Sequence, residues 1–120
     1  MRAEETFTGE AWRDPLVPLG DGVSIGNVFF SPCARTYWHE HDGGQLLFVL
    51  AGSGLVCTAD ETIAVGAGDR VWTPPGVRHW HGATGERFMF HTAITVGGTT
   101  WQEEVSEETY SVGCGRRDAR

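Results

Sequence analysis

Seventeen glycines cut this 120-residue chain into short runs rich in Val, Ile, Phe, Thr and Trp, and helix signals between them are nearly absent. A chain punctuated this way reads as an all-β domain of short strands. They are expected near 23–30, 36–41, 45–50, 54–59, 62–65, 70–73, 79–82 and 87–96. Turn signals occupy the joints: "SPCA" at 31–34, "DGG" at 42–44, "AGSG" at 51–54, "GAGD" at 66–69, "PPGVR" at 74–78 and "ATGE" at 83–86. About eight short antiparallel strands must hide their edges, which a jelly roll or small barrel does, so the expected class is all-β. Residues 23–110 would form the barrel, 1–22 an extended N-terminal arm too rich in Pro and charge to nucleate structure, and 111–120 a frayed C-terminal tail. "QLLFVL" at 45–50 is apolar on both faces, so one face should line the barrel and the other meet a second sheet or a partner subunit.

Charge removes several functions. Nine arginines stand against sixteen acids with no lysine, for a formal charge of −7. An acidic chain without basic clusters has no electrostatic footprint for nucleic acid or an anionic membrane. Without lysine, side-chain Schiff-base chemistry is excluded. Cys33, Cys57 and Cys114 form an odd set without CxxC spacing, and "MRAEETFTGEAWRDP" lacks the regions of a secretory signal, which reads as a cytoplasmic protein with free thiols. No apolar run approaches the roughly 20 residues that span a bilayer.

The chemistry gathers on histidines. Side chains two apart on a strand point the same way, so His39 and His41 share a face with Tyr37. In a hairpin closed by "DGG", Gln45 would sit across from that pair. His79 and His81 form a second HxH pair after a Pro-Gly turn. One such histidine alone reads as a satisfied core or rim residue; two turn-linked pairs together read as functional.

These stretches resemble the two cupin motifs, the first through His39, His41, Gln45 and Gly52, the second through Gly68, Pro74, Gly76 and His79. The resemblance implies a double-stranded β-helix in which His39, His41, Gln45 and His79 bind one divalent metal per chain. The likeness extends to small one-domain cupins that include manganese-dependent hydroxynitrile lyases, from "FTG" at 7–9 and "DPL" at 14–16, through "WHEHDGGQ" and "HWHGAT", to "WQEEVSEETY" at 101–110. It implies manganese, with iron, zinc or nickel as alternatives. Cys33 replaces the Gly that usually opens the first motif, which should loosen the "SPCA" turn, and Ala83 replaces the usual Asn closing the second.

Gln45 can be argued without the family. Three neutral imidazoles and a neutral amide leave a divalent charge uncompensated, so the ion polarises bound oxygen and holds anions strongly, while oxidised states are disfavoured. That favours a lyase over an oxygenase. His91 shares a strand face with Met89, Ala93 and Thr95, and either faces solvent or an interface, or is a general acid or base. The resembling lyases carry a histidine there, and His81 is the second candidate. Gly26, Val28, Phe30 and Thr95 are the expected pocket walls. Trp38, Trp72 and Trp80 are assigned to outer sheet faces, Cys57 to the core and "EEVSEE" to a solvated face; Arg35 and Arg78 either meet an anionic substrate or are solvated turn residues.

The leading expectation is an enzyme acting on a small polar molecule, of hydroxynitrile lyase type. The alternatives are a dioxygenase, an isomerase or cyclase, and a non-catalytic ligand-binding barrel. A homodimer or larger assembly of the chain is expected, because its apolar strands exceed what one small barrel hides.

Overall fold

The computed structural model describes residues 2–3, 5–19 and 22–118, with side chains at 5–16 and 22–113; the side chain of Cys114 lies outside these. The strands are β1 (Arg2–Ala3), β2 (Phe7–Thr8), β3 (Ala11–Leu19), β4 (Val23–Phe30), β5 (Arg35–Thr36), β6 (His39–His41), β7 (Gln45–Cys57), β8 (Thr62–Gly66), β9 (Arg70–Thr73), β10 (Trp80–Ala83), β11 (Met89–Val96) and β12 (Thr99–Trp101), followed by helix α1 (Glu107–Asp118). They form a nearly closed jelly roll: a sheet ordered β1-β3-β4-β11-β7-β10-β5-β2, with β8 and β9 also on β7, and a small β12-β6 sheet.

The long strand β7 joins the two halves. Its first residues pair with β9 and β11, and its last with β8 and β10. It crosses between them at Gly52, whose φ of 81° favours glycine and where an added Cβ would collide with the Phe88 carbonyl. Nearby, the register against β11 slips between Phe90 and His91, so Leu50 is bulged out and 45% exposed. That slip sets His91, Ala93 and Thr95 opposite Val49, Leu47 and Gln45. Gln45, Leu47 and Val49 are buried while Leu46 and Phe48 are half-covered, the alternation of a strand with one face inward.

Two cores result. Phe7, Val28, Phe30, Leu47, Val49, Val56 and Met89 fill the barrel, where burying a side chain the size of Leu47 contributes about 1.5–3 kcal/mol. Trp38, Leu55, Cys57, Trp80, Val105 and Tyr110 form a second cluster outside it. Cys57 is therefore a core residue, and Trp38 and Trp80 pack on the outer side, whereas Trp72 is 53% exposed.

Several expectations change. The expected strand 36–41 is broken at Tyr37–Trp38, the expected 45–50 and 54–59 are one strand, and His79 precedes β10 in an isolated bridge to His39. The N-terminal segment does form regular structure: β3 pairs with β4 from Ala11↔Phe30 to Leu19↔Val23. Among the described residues β1 pairs with β3 at Trp12 and Ala11, so Pro15 and Pro18 lie where β3 is an edge strand, the place in a sheet where proline is tolerated. The C-terminal tail is also ordered as far as Asp118. Ser106 caps α1 by accepting from the Thr109 N–H at 3.1 Å, and Glu107 and Glu108 occupy the first turn. No helix among the described residues is long and apolar enough to cross a membrane.

Candidate metal centre and cavity

His39 and His41 alternate on β6 and both point inward, 1% and 3% exposed. His39 and His79 exchange backbone hydrogen bonds, each N–H donating to the other's carbonyl at 2.9 Å, which brings the second histidine pair beside the first. The chain then turns at Asp42–Gly44, where Gly44 has φ 89° and a Cβ would approach the Thr73 carbonyl to 2.8 Å. This turn does not close a hairpin as expected. β6 pairs with β12, and Gln45 reaches the histidines from β7, which lies between β9 and β11.

The ring nitrogens of His39, His41 and His79 include a set lying within 4.8 Å of one another. Their outward bonds decide which atoms face the centre. His39 Nδ1 is 2.8 Å from the Tyr37 carbonyl and His79 Nδ1 is 3.0 Å from that of Val77. A carbonyl can only accept, so both Nδ1 atoms carry the proton and both Nε2 atoms are lone pairs. His79 Nε2 lies 3.4 Å from Gln45 Oε1, while the amide nitrogen of Gln45 donates to Thr95 Oγ1 at 2.9 Å. His41 Nδ1 meets Thr99 Oγ1 at 2.8 Å, and its Nε2 is buried without a partner. Acceptors therefore crowd one point with no donor between His79 and Gln45. A divalent cation fits that donor set: three imidazole nitrogens and one amide oxygen.

Electrostatics agree. Burial, then the neighbouring His79, lowers His39 to about 2 and His41 to about 4, and burial lowers His79. The three are neutral at ordinary pH, the form that ligates metal.

A second pair lies beside the first. His91 Nε2 and His81 Nδ1 are 3.2 Å apart, and both residues are buried. Burial, then His91, holds His81 well below its ordinary value, and burial lowers His91 to about 4. Two neutral imidazoles share one proton across that contact. Whichever way it points, one of the buried, unpartnered atoms His81 Nε2 and His91 Nδ1 is an acceptor and the other a donor.

Both pairs border one cavity of about 300 Å³. His39, His41, Gln45, His81, His91, Gly26, Val28 and Thr95 line it; His79 and Phe30 do not. Phe30 instead packs behind the dyad, 5.3 Å from the His91 ring and 5.9 Å from His81. The lining also includes residues that sequence reasoning missed: Phe7, Arg13, Asp14 and Pro15 from β2 and β3, Thr36 from β5, and Thr99 and Trp101 from β12. Treating residues 11–19 as a strand would have put Arg13 and Pro15 on one face.

Neither Arg35 nor Arg78 lines the cavity, and Arg35 is not solvated, while the side chain of Arg78 stays 38% exposed. Arg35 is 3% exposed, donates to the Val105 carbonyl at 3.0 Å and to Glu107 at 2.6 Å, and stacks 4.4 Å over Tyr110. Arg78 bonds Gln102 at 2.6 Å and Glu103 at 2.7 Å and lies 3.9 Å over Trp38. Both fasten the C-terminal segment. The run "EEVSEE" is solvated only in part, since Val105 is buried in the outer core.

Residues 28–96 match the cupin domain family. The sequence is 39% identical over 111 residues to the (R)-mandelonitrile lyase of Granulicella tundricola, covering 87% of this chain and 85% of that protein. A cupin-like protein from Thermotoga maritima, solved by crystallography, superposes with a TM-score of 0.88 at 34% identity, over 92% of this chain and 90% of that one. A polyketide cyclase from Streptomyces resistomycificus shares the fold, with a TM-score of 0.66 at 21% identity over 84% of this chain and 76% of that one. The chain belongs to the cupin domain family.

Proposed function

We propose that this cupin is a metal-dependent lyase of hydroxynitrile lyase type, cleaving or forming a C–C bond next to an oxygen on a small molecule. The observation that carries this reading is the meeting of two histidine sets in one cavity of about 300 Å³, one converging as acceptors and the other a neutral dyad. The relatedness to a protein named (R)-mandelonitrile lyase supports it. His39, His41, Gln45 and His79 would hold the ion, manganese first among the alternatives. When bound, it supplies Lewis-acid stabilisation of negative charge on an oxygen.

The dyad handles the proton. A cyanohydrin gives up its hydroxyl proton to the unprotonated atom of the pair, His81 Nε2 or His91 Nδ1. The oxygen electrons form the carbonyl, the C–C bond pair leaves as cyanide, and the dyad returns a proton to make hydrogen cyanide. Atoms and charge balance without a further reactant. Val28, the half-covered Ile25 and Ala93, and the exposed Trp101 give the cavity an apolar wall for the organic group. An oxygenase is disfavoured by the neutral amide at position 45.

The chain would act as a homo-oligomer. Trp12 and Phe88, 39% and 40% exposed, flank Phe29 on the outer sheet face and form a ready contact for a second copy. A monomer mass by light scattering at micromolar concentration would contradict that. The function is tested by supplying (R)-mandelonitrile to manganese-loaded protein and following benzaldehyde. Release above the buffer rate is expected, and its absence for mandelonitrile and for a panel of aliphatic cyanohydrins would overturn the reading.

A further inference from the structure

The four candidate ligands are not held alike. His39 and His79 are pinned through Nδ1 by backbone carbonyls, which can only accept, so their lone pairs face the centre in any state. Gln45 and His41 are pinned by hydroxyls, Thr95 at 2.9 Å and Thr99 at 2.8 Å. A hydroxyl accepts or donates as required. Each threonine is also the register partner of the residue it holds, Thr95↔Gln45 across β11 and β7 and Thr99↔His41 across β12 and β6.

That arrangement makes two ligands reversible. With Thr99 accepting, His41 carries its proton on Nδ1 and presents a lone pair at Nε2. With Thr99 donating, the proton moves to Nε2, a buried atom with no hydrogen-bond partner among the described residues, where it faces the acceptors of the centre. Likewise, with Thr95 accepting, Gln45 turns Oε1 to the centre; with Thr95 donating, the amide flips and its N–H₂ faces His79 Nε2, now 3.4 Å from Oε1. A cation demands acceptors from all four residues, whereas the metal-free centre gains from any donor placed among them.

Building on the metal reading above, we infer that Thr95 and Thr99 are positioning residues whose hydroxyls turn the Gln45 oxygen and the His41 Nε2 lone pair towards the ion, and reverse when it leaves. Valine keeps the shape of threonine and removes the hydroxyl. Replacing such a partner lowers metal affinity roughly 10- to 100-fold.

The test uses chelator-stripped full-length protein titrated with Mn²⁺, free ion being followed by its paramagnetic resonance signal. Thr95→Val and Thr99→Val should each bind at least about tenfold more weakly than wild type, and Thr95→Ser and Thr99→Ser should recover most of the loss. Nitrogen chemical shifts of the metal-free wild type give a readout independent of any variant's folding: His39 and His79 protonated on Nδ1, His41 on Nε2. Valine variants that match a binding wild type, or a metal-free His41 protonated on Nδ1, would overturn the inference and leave the metal reading standing. Failure of the wild type to bind Mn²⁺ or any other divalent ion would overturn both.

Discussion

Gln45 Oε1 and His79 Nε2 face each other at 3.4 Å inside the barrel, and the His79 proton is committed elsewhere, to the Val77 carbonyl. Two lone pairs confronting each other in a buried site cost stability unless a cation lies between them or the Gln45 amide turns over. Metal should therefore stabilise the fold. With a free ion at about one hundred times its dissociation constant, the expected gain is about 2.7 kcal/mol. Thermal melts of chelator-stripped and reloaded protein should differ accordingly, and His39→Ala or His79→Ala should remove the difference together with binding of about one ion per chain. Full metal content in both variants would refute the assignment.

The centre was legible because its ligands follow local patterns, two HxH pairs and a turn before Gln45, that resemble the cupin motifs. Strand parity put His91 on one face with Met89, Ala93 and Thr95 but left open whether that face met solvent, and only the resemblance to the lyases pointed to a role. What stayed hidden depends on distant pairing. Thr99 touches His41 across 58 residues of chain, and only the β12–β6 ladder brings them together. β3 was hidden by a rule applied too broadly, since Pro15 and Pro18 exclude a central strand but not an edge. The acids after Ser106 look like a solvated run unless one knows that Glu107 answers the buried Arg35. Composition marks arginine as a surface residue; Arg35 departs from this because two carbonyls and a carboxylate meet its guanidinium.

His91 is tested by function. His91→Ala should keep the metal, since His91 contacts His81 and Phe30 rather than any of the four ligands. Turnover of a cyanohydrin should fall roughly 10²-fold or more, the usual loss when a positioned acid or base is removed. An unchanged rate at full metal occupancy would make the residue structural.

The same residue imposes a pH dependence on stability. Burial lowers His91 from the ordinary 6.5 to about 4. Above pH 6.5 it is neutral both folded and unfolded, so its contribution is constant. Between 6.5 and about 4 the unfolded chain takes a proton that the folded chain refuses, so stability falls with falling pH by up to about 1.4 kcal/mol per unit. Urea unfolding of metal-free wild type and His91→Phe at pH 7 and pH 5 should show the larger acid loss in wild type; equal losses would contradict it.

Cys33 is the one described non-glycine residue with a left-handed backbone, φ 73°. It occupies the turn where the resembling cupins carry glycine. The conformation costs a side-chain-bearing residue about 1–2 kcal/mol, and glycine returns some of that in unfolded-state entropy. Cys33→Gly should therefore stabilise by about 0.5–1 kcal/mol, with no change in metal content. Destabilisation would mean that the 3.8 Å contact from Cys33 Sγ to the Gly85 carbonyl contributes more than the strain costs.

Gln45→Glu keeps the shape and a coordinating oxygen but places a negative charge at bonding distance from the ion, lowering the formal site charge from about +2 to about +1. Divalent metal should bind at least as tightly. The carboxylate has no N–H to offer Thr95, which would donate to it instead, so the hydrogen bond at 2.9 Å can persist with its direction reversed. The change is thus close to a pure test of charge. A less electropositive ion holds anions more weakly, polarises bound oxygen less and oxidises more readily. Azide titration at matched metal occupancy should give weaker binding to Gln45→Glu, and cyanohydrin turnover should slow. If the variant binds azide as tightly and reacts as fast, the amide serves packing and hydrogen bonding alone, and the physical case for a lyase over an oxygenase falls with it.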